Sequence, residues 1–395
     1  MSTEILDVWV NNRRVGELIQ DNYEYLFQYQ NIAELNPERD LVSLTMPVRI
    51  KPYDTQVLMP PFQMSLPEGA LLENLNTRFG KIMDVTNNMV LLRLIGNNTI
   101  GKVRFTAPGQ ALQTAADTRQ YTLQDLLTYP ETGELFKELL EQLALQSGIS
   151  GVQPKVLWSE HGRKVALLSG QYILKSAGRD YPGLAINEFF CLEAARASGL
   201  NVPDYYLAES GEMLIIKRFD IETHKQLAFE EACALLNLPS SGKYTGSYEN
   251  VADLFGRVPC EPVFESKRHL FKVILLSIAL KNGDAHLKNF GILYDDISNK
   301  WLAPVYDLVT TTIYLPKDLP ALSLGGRKQW PDLEAMKHFG LHACGLRTRD
   351  LNVCIDDVRS GIEYMKQLIK AYTATRSSLD WLRDSMLSVV DAVDW

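Results

Sequence analysis

Apolar and polar positions alternate with a period of two along the start of the chain: Ile5-Leu6-Asp7-Val8-Trp9-Val10, then Arg14-Val15-Gly16-Glu17-Leu18, then Tyr23-Glu24-Tyr25-Leu26-Phe27. Successive side chains of a strand point to opposite faces, so the pattern predicts a meander of short strands, with Asn11-Asn12 as its first turn. Pro60-Pro61 and Leu66-Pro67-Glu68-Gly69 punctuate a loop. Leu, Met and Phe then recur at helical spacing from Ala70 to Phe79 and from Asn88 to Ile95, and strand character returns from Ile100 to Phe105.

The stretch from Ala107 to Arg119 is rich in Ala, Gln, Thr and Gly and carries no apolar stripe, which marks a domain boundary. From about Tyr121 to Phe219, strands mix with one good helix. Lys164 to Leu168 and Gln171 to Lys175 read as neighbouring strands, Gly183 to Ser198 as a helix closed by Gly199, and Glu212 to Phe219 as a further strand. Beyond that, helices are expected over Ala228 to Leu236, Tyr248 to Phe255, Phe264 to Leu280, Leu333 to Phe339, Leu351 to Tyr372 and Ser378 to Val393. The expectation is an α+β, two-lobed chain with a strand-rich N-terminal part and an all-helical C-terminal lobe, divided at 1–110, 120–225 and 226–395. No fixed-period repeat is visible, so a solenoid is not expected.

The 395 residues, 46% of them hydrophobic, suffice for two or three packed units. A net charge of −8 argues against a broad basic face for nucleic acid, so any DNA role is expected to run through a partner. Cys191, Cys233, Cys260, Cys344 and Cys354 are scattered, odd in number and never spaced as C-x-x-C, which speaks against a disulfide framework or a zinc site. The first ten residues lack a basic segment followed by a long apolar one, and the run from Leu270 to Leu280 is too short to span a bilayer. A cytoplasmic protein with no membrane association is expected.

The densest candidate chemistry lies in Asn282-Gly283-Asp284-Ala285-His286-Leu287-Lys288-Asn289. An acid and an amide five residues apart match the catalytic-loop spacing of protein kinases, in which an aspartate receives the substrate hydroxyl proton and an asparagine holds a metal. A polar helix cap followed by a turn explains the same letters. Tyr306-Asp307-Leu308 adds a second acid after a short strand, where a magnesium ligand would stand. Upstream, Ser147-Gly148-Ile149-Ser150-Gly151-Val152-Gln153-Pro154-Lys155 offers Ser150, Gly151, Val152, Gln153 and Lys155 to a phosphate, although a plain connector has the same composition. Lys175 ends an apolar strand and aims a point charge at a cleft, or else protects a sheet edge. Glu188 on the next helix is its candidate partner. Ile215 to Asp220 reads as a hinge, with Lys217 and Phe219 beside an adenine ring, or as a buried strand entering a loop. No G-x-S-x-G elbow and no second zinc ligand at His286 spacing are present.

Taken together, these segments resemble the HipA family of bacterial serine/threonine kinases, the toxin halves of toxin–antitoxin pairs. Leu6 to Leu18, Ser43-Leu44-Thr45-Met46-Pro47, Leu66-Pro67-Glu68-Gly69 and Ile100-Gly101-Lys102-Val103 look like the family's N-terminal subdomain, and Ile149 to Lys155 like its glycine-rich loop. Asn187-Glu188 to Pro203, Arg218-Phe219-Asp220, Lys243-Tyr244, Asn282 to Asn289 and Pro304 to Leu308 extend the likeness over almost the whole chain. The resemblance implies a HipA-like, protein-kinase-like fold using ATP and Mg2+. Lys175 would contact the nucleotide, Asp284 would act as base, His286 and Lys288 would belong to the catalytic loop, and Asn289 and Asp307 would hold magnesium. It also implies a protein substrate in translation, such as an aminoacyl-tRNA synthetase, a helix-turn-helix antitoxin of the HipB type, and DNA contacted through that antitoxin. Family members autophosphorylate a serine in the glycine-rich loop. The best-known position falls on Gly148 in this chain, so Ser150 becomes the candidate. Two rival readings are a catalytically silent scaffold for an antitoxin–DNA complex and a small-molecule kinase.

Overall fold

The computed structural model describes residues 3–81, 83–96, 99–112, 121–135, 138–139, 165–169, 171–176, 181–222 and 225–393. The opening meander forms as the alternation predicts. Strands β1 (Glu4–Val10), β2 (Arg13–Asp21), β3 (Glu24–Tyr29), β4 (Tyr53–Thr55) and β5 (Val103–Thr106) make an antiparallel sheet in the order β4-β3-β2-β1-β5. Asn11 and Asn12 both take positive φ, as the two-residue turn between β1 and β2 requires. One face of this sheet buries Val8, Val10, Leu18 and Phe27 against Phe62, Met89 and Leu92, the last two from helix α2 (Asn88–Ile95). Helix α1 (Gly69–Phe79) and α2 send Leu75, Phe79, Leu91 and Leu94 into a second cluster. That cluster also takes Leu174, Met213 and Ile215 from the next sheet.

This next sheet runs β6-β7-β9-β8, from β6 (Val165–Ser169), β7 (Tyr172–Ser176), β8 (Tyr205–Leu207) and β9 (Met213–Lys217). Leu174, Leu214 and Ile215 are fully buried, so β7 and β9 are covered on both faces. Helix α3 (Leu184–Ala197) packs beside them and ends at Gly199, whose φ of 66° gives the left-handed turn that closes a helix.

The C-terminal lobe corrects one expectation, because it is not all helical. Ala228–Glu231, read as the start of a helix, forms β10, which pairs with β11 (Gly291–Tyr294), and β11 pairs in turn with β12 (Lys300–Leu302). Only Ala232–Leu235 turns helical. The expected helices otherwise appear: α4 (Tyr248–Arg257), α5 (Val263–Ala279), α6 (Leu333–His342), α7 (Thr348–Thr373) and α8 (Asp380–Asp391). Their apolar stripes meet α3 in the largest core, around Phe190, Phe271, Ile274, Val358 and Leu382. All five cysteines are buried free thiols. Among the described residues, no helix is long and apolar enough to cross a membrane.

Three carboxylates hold the N-terminal unit to the rest. Glu230 accepts from Ser43 Oγ (2.6 Å), Leu44 N (2.8 Å) and Tyr294 Oη (2.6 Å). Asp220 accepts from Gly101 N (2.7 Å), Gln226 Nε2 (3.1 Å) and the Arg218 guanidinium, whose Nη2 also donates to Thr99 O (2.8 Å). The third is Glu68. Around them an apolar seam joins Phe229, Leu293 and Ala303 to Met64, Ile100, Phe219 and Tyr306. Gly101 has φ 83° and lies against the Phe229 backbone, where a side chain would be both strained and crowded.

Candidate active site

Helix α5 ends in a left-handed residue, Lys281 (φ 50°), and Asn282 N returns a hydrogen bond to Ser277 O (2.9 Å). The polar cap and the candidate catalytic loop are therefore one structure. Asn282 Oδ1 accepts from Asp284 N (3.0 Å), Asp284 O from His286 N (2.8 Å), and Asn289 Oδ1 from the same His286 N (2.8 Å). These short-range bonds close a tight turn and leave the Asp284 side chain 44% exposed at its rim. Tyr244 Oη donates to Asp284 Oδ1 (2.6 Å), and His286 Nε2 lies 3.8 Å from that oxygen.

Gly283 is needed here for space. A side chain at this position would stand 2.0 Å from Asp318 Oδ2. Gly283 N donates to Thr311 Oγ1 (2.8 Å), and Thr311 Oγ1 donates to Asp318 Oδ2 (2.5 Å), so the segment after Asp307 is pinned onto the loop.

Around Asp307, three elements converge. Lys175, at the end of β7, bonds Glu188 of α3 and reaches Asp307 Oδ1 at 3.2 Å, while Asn289 Nδ2 donates to Asp307 Oδ2 (3.1 Å). Lys175 and Glu188 are buried, whereas the Asp307 side chain is 27% exposed. Asp307 has φ 59°, a conformation that a residue other than glycine seldom adopts and that collects at functional sites. Tyr306 Oη, beside it, donates to Lys288 O (2.8 Å) and ties this turn to the loop.

The Asp307 carboxylate and an asparagine amide oxygen are hard donors, and the Lys175 ammonium marks Asp307 Oδ1 as a position for positive charge. Asn289 turns its Nδ2 to Asp307 and its Oδ1 to His286 N, so one ion held by both residues requires that amide to turn. The donor types suit a magnesium ion, which takes few protein oxygens and completes its octahedron with phosphates and water. Among the described residues, no group of three or more His, Cys, Asp or Glu side chains forms a fuller cage.

Other candidates sit elsewhere. Lys288 turns its ammonium away from Asp284, to Glu68 (2.9 Å) and Glu231 (3.5 Å). Burial opposes its charge, but Glu231 and Glu68 outweigh this and raise its pKa. His286 is buried with Nδ1 unpartnered, and burial lowers its pKa. Lys217 is exposed and pairs with Asp204 (3.4 Å). Phe219 stacks on Tyr306 at 5.5 Å between ring centroids, within the seam. Ser150, Gly151, Val152, Gln153 and Lys155 lie outside the described residues. Sequence reasoning assigned no site role to Glu68, Lys243, Tyr244 or Asp318. The only signal for the first three was that Leu66-Pro67-Glu68-Gly69 and Lys243-Tyr244 are family-like motifs; Asp318 had none.

Two family models match most of the chain. The HipA-like C-terminal domain matches residues 147–365, and the HipA N-terminal domain matches residues 6–106. The chain belongs to the HipA family. Among relatives of this HipA-family chain, "Putative kinase Y4mE" of Sinorhizobium fredii is 28% identical over 361 residues, covering 85% of this chain and 84% of that one. "Serine/threonine-protein kinase toxin HipA" of Shewanella oneidensis is 25% identical over 338 residues, covering 79% and 76%. A chain in the solved complex of Shewanella oneidensis HipA, HipB and operator DNA superposes with a TM-score of 0.69 at 20% identity, covering 98% of this chain and 96% of its own length. The α+β, kinase-like HipA fold is therefore shared.

Proposed function

We propose that this chain is an ATP- and Mg2+-dependent serine/threonine protein kinase and the toxin of a toxin–antitoxin pair. The observation that carries this reading is the convergence of Lys175, Glu188, Asn289 and Asp307, with the half-exposed Asp284 on the same loop as Asn289. Asp284 accepts the proton of a serine or threonine hydroxyl. The hydroxyl oxygen forms a bond to the γ-phosphorus of ATP as the bond from that phosphorus to the β-phosphate bridging oxygen breaks, giving a phosphoprotein and ADP. Lys175, oriented by Glu188, holds the α- and β-phosphates. Asn289 and Asp307 would hold magnesium, which would supply charge neutralisation on the phosphoryl oxygens. Rate enhancement then comes mainly from positioning and electrostatics.

The 1–110, 120–225 and 226–395 segments supply, in this reading, the docking unit, the nucleotide-facing sheet and the acid-bearing lobe. The glycine-rich loop would cover the phosphates through Ser150, Gly151, Val152, Gln153 and Lys155, and Ser150 would be autophosphorylated. Lys217 and Phe219 would flank the adenine by their backbone. A HipB-type antitoxin is the proposed partner, bringing DNA indirectly; the named complex of HipA, HipB and operator DNA supports this, as does the net charge of −8. The acceptor would be a cytoplasmic translation protein such as an aminoacyl-tRNA synthetase.

Incubation with radiolabelled ATP and a cell extract tests the reading. Label in protein bands, lost in Asp284→Asn and Asp307→Ala, supports it; label in metabolites points to a small-molecule kinase, and no ATP consumption points to a silent scaffold. Intact mass after ATP incubation, compared with Ser150→Ala, tests autophosphorylation; an unchanged wild-type mass rejects it.

A further inference from the structure

Glu68 stands in the Pro-Glu-Gly turn at the N-terminus of α1, where a short polar side chain usually caps the helix. It makes no cap bond. Instead its carboxylate spans the seam: Oε1 lies 2.9 Å from Lys288 Nζ, and Oε2 lies 2.9 Å from Lys243 Nζ. Both lysines are one residue from a group of the candidate site. Lys243 precedes Tyr244, which bonds Asp284, and Lys288 precedes Asn289, which bonds Asp307. The two lysine segments also hold each other, through Leu287 N to Lys243 O (3.0 Å). One carboxylate from the N-terminal unit thus bridges the strip that brings Tyr244 to Asp284 and the loop that carries Asp284 and Asn289.

The charges balance only with Glu68 present. Lys243 and Lys288 face Glu68 and Glu231, and Glu231 Oε2 has no hydrogen bond. Burial pushes Glu231 up to about 7, whereas Lys288 and Lys243 overcome the burial of Glu68 and hold it at about 2. The permanent anion between the two lysines is therefore Glu68. Glu230 and Asp220 differ from it, because they anchor the N-terminal unit without touching a neighbour of the loop.

We propose that Glu68 is a positioning residue for phosphoryl transfer: through Lys243 and Lys288 it fixes the loop 284–289, so that the N-terminal unit sets the geometry of the site. This rests on reading that loop as the transfer loop. The test compares wild type with Glu68→Gln, which keeps the shape and removes the charge, and Glu68→Asp, which keeps the charge on a shorter arm. Glu68→Gln is expected to lower kcat about 10-fold with KM for ATP unchanged, as a small misplacement of reacting groups does. It should speed hydrogen exchange at amides 283–290 without speeding it in β1 to β3, and Glu68→Asp should recover part of both. Unchanged kcat and unchanged loop exchange overturn the proposal, as does faster exchange throughout β1 to β3, which marks simple destabilisation. If the wild type transfers no phosphate, the functional reading fails, and loop exchange alone still decides whether Glu68 clasps the loop.

Discussion

Two sets of acids in this molecule have opposite surroundings. In the seam, Asp220 is 0% exposed and collects a backbone amide, a guanidinium and a side-chain amide, and Glu230 is filled by Ser43, Leu44 and Tyr294. At the candidate site, the Asp284 side chain is 44% exposed, and Asp307 is 27% exposed on a strained backbone. A carboxylate with its lone pairs occupied inside protein can only hold structure, because nothing can approach it. A carboxylate at a rim, held by a few bonds, retains room for a proton or a cation. Asp220, Asp284 and Asp307 all lie in family-like motifs, so burial and bonding separate framework from chemistry where motif membership does not.

The comparison is sharpest at its extremes. Asp284→Asn should lower phosphoryl transfer roughly 10²- to 10⁴-fold, the usual share of a positioned base. Its denaturation midpoint should move within about 0.5 kcal/mol, as for a surface change. Asp220→Ala should do the reverse of this pairing. Arg218 would be left buried without its partner, costing about 3–5 kcal/mol in urea unfolding. Equal stability loss in the two variants would erase the distinction. Gly283→Ala tests the contact between the loop and Asp318, and overpacking predicts a loss of about 1–3 kcal/mol together with reduced transfer. The smallest effect concerns His286. Burial depresses its pKa below the ordinary 6.5, so on acidification the unfolded chain takes up that proton first, and stability falls as pH drops below about 6.5 toward the folded value. His286→Gln should flatten the stability–pH slope there by at most about 1.4 kcal/mol per pH unit, read from melts at several pH values.

Much of the fold was legible because the signals are local. The Asn11-Asn12 turn, the span Asn88–Ile95 and the closure of α3 at Gly199 each rest on period or cap chemistry within a few residues. Ala228–Glu231 was misread for the complementary reason. Its Ala and Glu content favours a helix, but pairing with Gly291–Tyr294, some 60 residues away, makes it a strand. The acid and amide of 284–289 were visible as spacing, whereas the chain alone offers no range-independent cue that Glu68 meets Lys288 across 220 positions.

The sequence by itself determined most strands and helices, where α5 stops, and which residues carry the kinase-type spacing, since these depend on steric and hydrogen-bonding preferences over one or two turns. Only the tertiary structure decided which charges meet. It added Asp307 to Lys175 and its expected partner Glu188, left Asp284 at the rim, buried Asp220 and Glu230, and drew Lys288 to Glu68. Ion pairing has no fixed distance along a chain. The pairs are set when apolar faces dock and the few buried charges must find partners, so the same letters become framework or chemistry according to where that docking leaves them.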